Sequence, residues 1–322
     1  MDRVAATQPP LIVITGPTGG GKSAAALALA EAHCGEIVSC DSLQVYRGFD
    51  IGSAKPTLDE RARVAHHLVD VVDADQEFSA AAWHRLAERA IAGIFARGML
   101  PIVVGGTGLY LKALLHGLFD GPSRDEKLRA RILKLGEARG NAHLHALLRR
   151  VDPRAAARIQ PRDQVRVIRA LEVRFLTGRP ITDQQTQWRT RARVQPTVVL
   201  GLDPGREPLR EAIAQRCDSM LSQGLVGEVR ALLGRWGRRV RPLNAIGYRQ
   251  IVQHLDGDLD LTEARASMVT ETGRFAKRQR TWFRQQTPPD EWFSDGPSLV
   301  RTALRIVEQA QPPSDGSRDA SA

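Results

Sequence analysis

Gly16-Pro17-Thr18-Gly19-Gly20-Gly21-Lys22-Ser23 follows the pattern G-x-x-x-x-G-K-[ST] in full. Glycines at these places let backbone N–H groups turn inward around an anion, and a helix opening directly afterwards adds its positive N-terminal end. Lys22 supplies a point charge to a terminal phosphate and Ser23 a hydroxyl to Mg²⁺. The chemistry is phosphate binding, but the loop does not name a reaction. An NTP-driven motor or switch, a small-molecule kinase and a transferase whose leaving group is a phosphate all use one. A motor or switch needs a carboxylate on Mg²⁺ at the end of a buried strand. No apolar run here ends in Asp-Glu or Asp-x-x-Gly. Asp41, after Glu36-Ile-Val-Ser-Cys40, is the best strand-end carboxylate. That end of an open α/β sheet is where ligands bind. Asp41 suits a metal ligand or a base; taken alone, it reads more simply as the first residue of the turn Asp41-Ser42.

The elements that must position these residues read as an α/β core. Leu11-Ile-Val-Ile-Thr15 is a short apolar strand feeding the loop, and Lys22 to His33, rich in Ala and Leu, is a helix. Glu36 to Cys40 and Pro101 to Gly105 are further strands, and His67 to Val72 is a possible one. Ser79 caps a helix that Gly98 closes near Arg97. Gly105-Gly106-Thr107-Gly108 leads into a helix from Leu109 to about His116. Short apolar strands alternating with helices predict a parallel sheet covered on both faces, a P-loop NTPase-like core.

The pattern changes after Gly121-Pro122. Residues 123 to about 190 show no convincing strand and read as basic helices broken at Gly140, Pro153, Pro161 and Gly178-Arg179-Pro180. Thr197-Val-Val-Leu-Gly201 then returns as a strand, Pro208 to Leu233 as helix with a break near Gly224, and Ala264 to Gln286 as a long helix. The predicted organisation is a discontinuous core, 1–120 with 197–310, a helical insertion, 121–196, and a polar, disordered tail, 311–322.

Charge follows that division. The 322 residues carry a net +10, and residues 121–196 alone carry +11. So local an excess attracts polyanions, which favours nucleic acid over a merely solvated helix face. No apolar run approaches the roughly 20 residues that cross a bilayer. The start lacks a secretory pattern, so the expectation is no membrane and a cytoplasmic site of action. Cys34, Cys40 and Cys217 form neither a C-x-x-C pair nor a zinc spacing with His, and predict no disulfide framework.

Several blocks together resemble tRNA dimethylallyltransferases (isopentenyl-tRNA transferases). They are Asp41-Ser-Leu-Gln44-Val-Tyr46, Asp50-Ile-Gly-Ser-Ala-Lys55-Pro56-Thr57, Gly105-Gly106-Thr107-Gly108-Leu-Tyr110, Arg169-Ala-Leu-Glu-Val173, Ile246-Gly-Tyr-Arg249 and Lys277-Arg-Gln-Arg-Thr-Trp282. They keep the family's order from Leu11 to Arg284, and the basic insertion is similar to the family's anticodon-gripping domain. The resemblance implies transfer of a dimethylallyl group from dimethylallyl diphosphate to N6 of the adenosine 3′ of the anticodon. It implies Asp41 as base, Thr107 near the reacting centre, Arg216 at the diphosphate, and Mg²⁺ on Ser23. The loop from Gly16 to Ser23 would then hold the diphosphate that leaves.

For the tRNA anticodon stem-loop, the resemblance implies contacts from Asp41, Ser42, Leu43, Gln44, Thr107, Arg129, Val165, Arg166, Val167, Ile168, Arg169, Asn244, Ala245, Ile246, Gly247, Tyr248 and Arg249. The target base must be flipped out to enter such a site. Arg166 and Arg169 share a helix face, and pairing within their own helix is the plainer role for them. Two departures from the family stand out. Thr18-Gly19-Gly20-Gly21 replaces a common Ala-Ser pair before the last Gly, and Val165 stands where Gln is frequent. The family's longer eukaryotic forms carry a C-terminal zinc finger; this chain resembles the compact bacterial form, expected to act as a monomer. The rivals are an ATP-dependent small-molecule kinase and a non-catalytic RNA-binding protein with a vestigial loop.

Overall fold

A computed structural model describes residues 9–117, 121–122, 125–184 and 196–310. The chain divides into two compact units, Met1–Leu115 with Arg193–Ala322, and His116–Ala192. The tail predicted to be disordered lies outside the described residues.

The first unit is built on six strands: β1 (Leu11–Thr15), β2 (Gly35–Ser39), β3 (His66–His67), β4 (Leu100–Gly105), β5 (Thr197–Leu202) and β6 (Glu291–Phe293). Their order is β3-β2-β4-β1-β5-β6, and every pairing is parallel. All five side chains of β1 are buried, as a strand covered on both faces requires. Alternation sends Val13, Val38, Val103 and Val199 to one face, against Trp83 and Leu111. Ile12, Ile14, Ile37, Ile102 and Leu200 go to the other. There they meet Ala26 and Leu29 of the helix Lys22–Ala32 and Leu299, Ala303 and Val307 of the helix Gly296–Ala310. The carboxyl ends of β1, β2 and β4 thereby bring the phosphate loop, Asp41 and Gly106-Thr107 to one edge of the sheet.

The third strand is shorter than the His67–Val72 run predicts. Leu68 and Asp70 take φ values of 62° and 56°, in the left-handed region that breaks a pleat. Asp70 is held there by Lys55 at 2.7 Å and Arg61 at 2.6 Å. Beyond β3 the backbone pairs with the segment after β2 instead: Val71 N–H donates to the Val45 carbonyl at 2.7 Å, Arg47 N–H to the Val72 carbonyl at 2.9 Å, and Tyr46 bridges Val72. The helical region from Pro208 is two helices, Arg206–Ser222 and Leu225–Trp236, separated at Gly224 with φ 98°. The long basic helix runs Leu261–Gln285 and opens with a capping box between Asp260 and Glu263. Strand β6 and the helix Gly296–Ala310 have no counterpart in the sequence reading.

The second unit is helical: Glu126–Arg139, Asn141–Val151, Pro153–Arg158, Gln164–Thr177 and Ile181–Gln184. No strand occurs among its described residues. Leu144, Leu148, Val167, Ile168 and Leu171 form its core. The buried Asp152 caps Ala155 and accepts the Thr182 hydroxyl at 2.8 Å, which ties the last helix to the third.

Trp83 joins the sheet to the site edge. It is fully buried, its indole N–H donates to the Ser39 carbonyl at 2.9 Å, and its ring stacks on Tyr110 at 4.9 Å. Trp83→Ala is expected to cost about 3–5 kcal/mol in urea denaturation, the usual penalty for emptying an aromatic site. A cost below about 1 kcal/mol would show that the contact does not hold the edge.

Candidate active site

The loop between β1 and the helix Lys22–Ala32 has the backbone shape its glycines permit. Gly16, Gly19 and Gly21 have φ of 141°, 80° and 85°, which side-chain-bearing residues rarely adopt. A Cβ on Gly16 would also overlap the Leu202 carbonyl oxygen. The Lys22 ammonium folds back to donate to the Pro17 carbonyl at 2.7 Å, so its charge lies within the loop. Ser23 is exposed at the helix start.

Asp41 is held in a turn. Its Oδ1 accepts from the backbone N–H of Leu43 at 2.7 Å and of Gln44 at 3.3 Å. Thr107 clasps the same turn from β4: its N–H donates to the Cys40 carbonyl at 3.2 Å, and its Oγ1 accepts from the Ser42 N–H at 3.1 Å. Asp41 and Thr107, distant in sequence, thus act as one local structure. Gln44 accepts from the Ser39 hydroxyl at 2.8 Å and donates to the Ala54 carbonyl at 3.0 Å. Its side chain is committed to shaping the wall.

One cavity of about 910 Å³ collects these groups. Thr18, Gly19, Gly21, Lys22 and Ser23 line it, with Asp41, Gln44, Gly106, Arg216 and the stretch Asp50–Lys55 except Gly52. Gly16, Pro17 and Gly20 shape the loop from behind, and Thr107 acts on the cavity through Asp41's turn. The Arg216 side chain, on the helix Arg206–Ser222, makes no hydrogen bond or ion pair among the described residues. Burial lowers its pKa, while the charge of Asp41 opposes that fall. Burial and then the Arg216 charge pull Lys22 down to about 8, against the attraction of Asp41. Elsewhere in the lining Lys55 and Arg61 are paired with Asp50 and Asp70. The excess of positive charge is therefore local to Lys22 and Arg216, which share the field of Asp41, an arrangement suited to a polyanion at that end of the cavity.

The residues implied for RNA contact divide between the units. In the first unit, Asn244 and Arg249 are exposed beside half-buried Ala245 and Ile246, whereas Gly247 and Tyr248 are buried. The Tyr248 ring packs on Phe49 at 4.9 Å, so it shapes the core. In the second unit, Val165 and Arg166 are exposed, while Val167 and Ile168 point into the helical core. Arg166 pairs with Asp163 at 3.4 Å, and Arg169 with Glu172 at 3.1 Å. Arg129 reaches the same buried Glu172 at 3.6 Å. The pairing within their own helix weighed for Arg166 and Arg169 is present, whereas Arg129 reaches Glu172 from a neighbouring helix.

Gln279 is a site residue that no motif role anticipated. Its Oε1 accepts from the Thr18 N–H at 2.8 Å and its Nε2 donates to the Gly106 carbonyl at 2.9 Å. It thus stitches the phosphate loop to the end of β4. A Cβ on Gly106 would overlap that Nε2, and one on Gly105 the Cys40 carbonyl, so each glycine of the pair is required by a different neighbour. Next to it, Arg280 pairs with the buried Asp203 at 2.7 Å and anchors the long helix to the end of β5. Among the described residues the three cysteines are free, with Cys34 exposed and Cys40 and Cys217 buried. Burial pushes the Cys40 and Cys217 thiols up. No described helix is long and apolar enough to cross a membrane.

The lowered Lys22 pKa yields a prediction with a definite sign. At about pH 9 the free loop holds Lys22 largely neutral, because its pKa is about 8. A bound anion raises that pKa, so inorganic diphosphate should bind with proton uptake and more weakly as pH rises above about 8. Calorimetry at that pH in buffers of different ionisation heat should show up to about 0.9 proton more taken up by the wild type than by Lys22→Arg, whose charge does not titrate. Equal uptake in both would mean that Lys22 is charged in the empty loop.

Residues 44–286 match the family described as IPP transferase. The chain is 49% identical over 303 residues to "tRNA dimethylallyltransferase 2" of Syntrophus aciditrophicus, covering 93% of this chain and 97% of that one. The crystal structure of the full-length tRNA isopentenylpyrophosphate transferase from Bacillus halodurans superposes with a TM-score of 0.65 at 36% identity. It covers 94% of this chain and 98% of that one. A eukaryotic dimethylallyltransferase described as acting on tRNA gives a TM-score of 0.73 at 30% identity, covering 85% of this chain and 70% of its own. With the family match over most of its length and a relative of such identity along nearly all of it, this chain belongs to the IPP transferase family.

Proposed function

We propose that this chain transfers a dimethylallyl group from dimethylallyl diphosphate to N6 of the adenosine 3′ of the anticodon in tRNA, releasing diphosphate. The observation that carries this reading is the shared cavity. The phosphate loop with Lys22, the helix residue Arg216 and the carboxylate of Asp41 line one cavity, and the charge of Asp41 acts on both desolvated cations. In the reaction the allylic C–O bond breaks and its electron pair leaves on the diphosphate. The N6 lone pair forms the new C–N bond, and the amine proton passes to Asp41. The loop N–H groups, Lys22 and Arg216 meet the charge that grows on the leaving group. Asp41 acts as general base on a weak nucleophile, with Thr107 fixing the turn that aims it.

Mg²⁺ fits the donor set. It prefers oxygen ligands, keeps water, and commonly takes one or two protein groups beside substrate phosphates. The exposed Ser23 and the carboxylate of Asp41 line the same cavity, and no described cluster of three His, Cys, Asp or Glu competes for a metal. Ser23 would hold the ion, which would supply further charge neutralisation at the diphosphate.

The tRNA anticodon stem-loop is the proposed acceptor. The segment 121–196 carries the chain's charge excess, and its exposed arginines suit phosphate contacts. Val165 offers an apolar contact where an amide would read a base edge. We assign the enzyme a monomeric, cytoplasmic mode of action. The kinase reading differs in its donor and in its indifference to tRNA.

The test uses purified protein, Mg²⁺, labelled dimethylallyl diphosphate and an unmodified tRNA with A-A-A following a U-terminated anticodon. Label should enter the tRNA; no incorporation together with ADP release from ATP would establish the kinase instead. In Asp41→Asn the Oδ1 acceptor for Leu43 and Gln44 survives and only the charge is lost. Turnover should fall about 10²–10⁴-fold, the usual worth of a general base, with tRNA affinity within about threefold. Full turnover would remove Asp41 from the role of base.

A further inference from the structure

The cavity wall Asp50–Lys55 carries none of the reacting groups, yet its backbone is fastened from outside by a single carboxylate. Glu228, on the helix Leu225–Trp236, accepts from three successive backbone N–H groups. These are Asp50 at 3.2 Å, Ile51 at 2.7 Å and Gly52 at 3.2 Å. Its fourth donor is the Tyr248 hydroxyl at 2.6 Å. No ion pair to Glu228 occurs among the described residues, so a nest of backbone donors and one phenol meets its charge. Burial, and after it the neighbouring Glu228 charge, raise the Tyr248 pKa, which keeps the phenol protonated and donating. The fit is close, since a Cβ on Gly52 would press into the Tyr248 ring at 2.5 Å.

The same wall is tied from inside to the proposed base. Ser53 Oγ donates to the Phe49 carbonyl at 2.6 Å. Gln44 Nε2 donates to the carbonyls of Ser53 at 3.4 Å and Ala54 at 3.0 Å. Ala54 sits in the left-handed region with φ 47°, a conformation that persists only where its surroundings enforce it. The Gln44 N–H in turn donates to Asp41. One continuous set of contacts therefore runs from Tyr248, amid the segment Asn244–Arg249, through Glu228 and the wall to Gln44 and Asp41.

We propose that Glu228, with Tyr248 as its donor, is a positioning residue that holds the Asp50–Ala54 wall so that Gln44 and the turn of Asp41 keep their reactive geometry. The proposal rests on prenyl transfer as the activity of this cavity. It places Glu228 outside the reacting atoms, so its loss should slow the chemical step and leave the diphosphate site intact.

The experiment compares wild type, Glu228→Gln and Tyr248→Phe in steady-state prenyl transfer to tRNA, alongside binding of inorganic diphosphate and thermal unfolding. Glu228→Gln should lower kcat by about tenfold or more, the order expected for a misplaced catalytic group, with diphosphate affinity within about twofold. Tyr248→Phe should lower kcat in the same direction by a smaller factor. The double variant should be no worse than Glu228→Gln, as expected for groups acting through one contact. If kcat stays within twofold in both single variants, the proposal is overturned. A parallel loss of kcat, diphosphate affinity and folded fraction also overturns it, because that is a merely structural role. If Glu228→Gln does not fold, Tyr248→Phe decides by the same criteria. A wild-type enzyme that makes no prenylated tRNA would instead overturn the activity itself.

Discussion

The site depends on keeping two partly desolvated cations, Lys22 and Arg216, at one end of the cavity with a single carboxylate, Asp41, acting on both. Lys22 is drawn down to about 8 by burial and by Arg216, and Asp41 is the carboxylate whose field reaches both cations. Such an arrangement costs stability in the empty protein, and a polyanionic substrate offsets that cost on binding. The shape of the loop, its tie to β4 through Gln279 and the clasp on Asp41 all keep that charge where a diphosphate would leave.

The fold supplies this at one edge of a parallel sheet. β1, β4 and β2 are neighbours and end side by side, so three short loops meet there. Each makes its own contribution: backbone donors from Gly16–Ser23, a carboxylate from Asp41, and a threonine clasp from Thr107. The long helix Leu261–Gln285 locks two of them together through Gln279. The Asp50–Lys55 wall adds to the lining, held by Gln44 and by Glu228, to which Tyr248 donates in turn.

Much of this is legible in residues close together in sequence. β1, β2, β4 and β5 announce themselves as short β-branched runs that both faces of the sheet must bury. The phosphate loop is readable because its glycines and lysine are contiguous, and Ser79 marks its helix start by a cap that the structure forms with Ala82. The third strand misleads because apolar composition at His67–Val72 hides two left-handed residues, Leu68 and Asp70, and Asp70 is held by Lys55 and Arg61 from outside the run. The roles of Gln279 and Glu228 are illegible for a related reason. Their partners are 261 and up to 178 residues away; Gln279 lies in a motif that gives it no role by itself, and Glu228 reads as a surface residue of its helix. Tyr248 and Val167 show the converse: residues in motifs implied for RNA contact turn out to be buried, because a motif also records what holds the contacting residues in place.

The proposal most in need of test is that the loop accommodates the diphosphate of a prenyl donor. Equilibrium competition tests it most directly, with labelled dimethylallyl diphosphate bound in the presence of Mg²⁺ and challenged in turn by inorganic diphosphate and ATP. The account predicts displacement by diphosphate at concentrations near its own dissociation constant, no release of ADP from ATP, and loss of donor binding in Lys22→Gln. Tight ATP binding with hydrolysis, and donor binding indifferent to diphosphate, would contradict it.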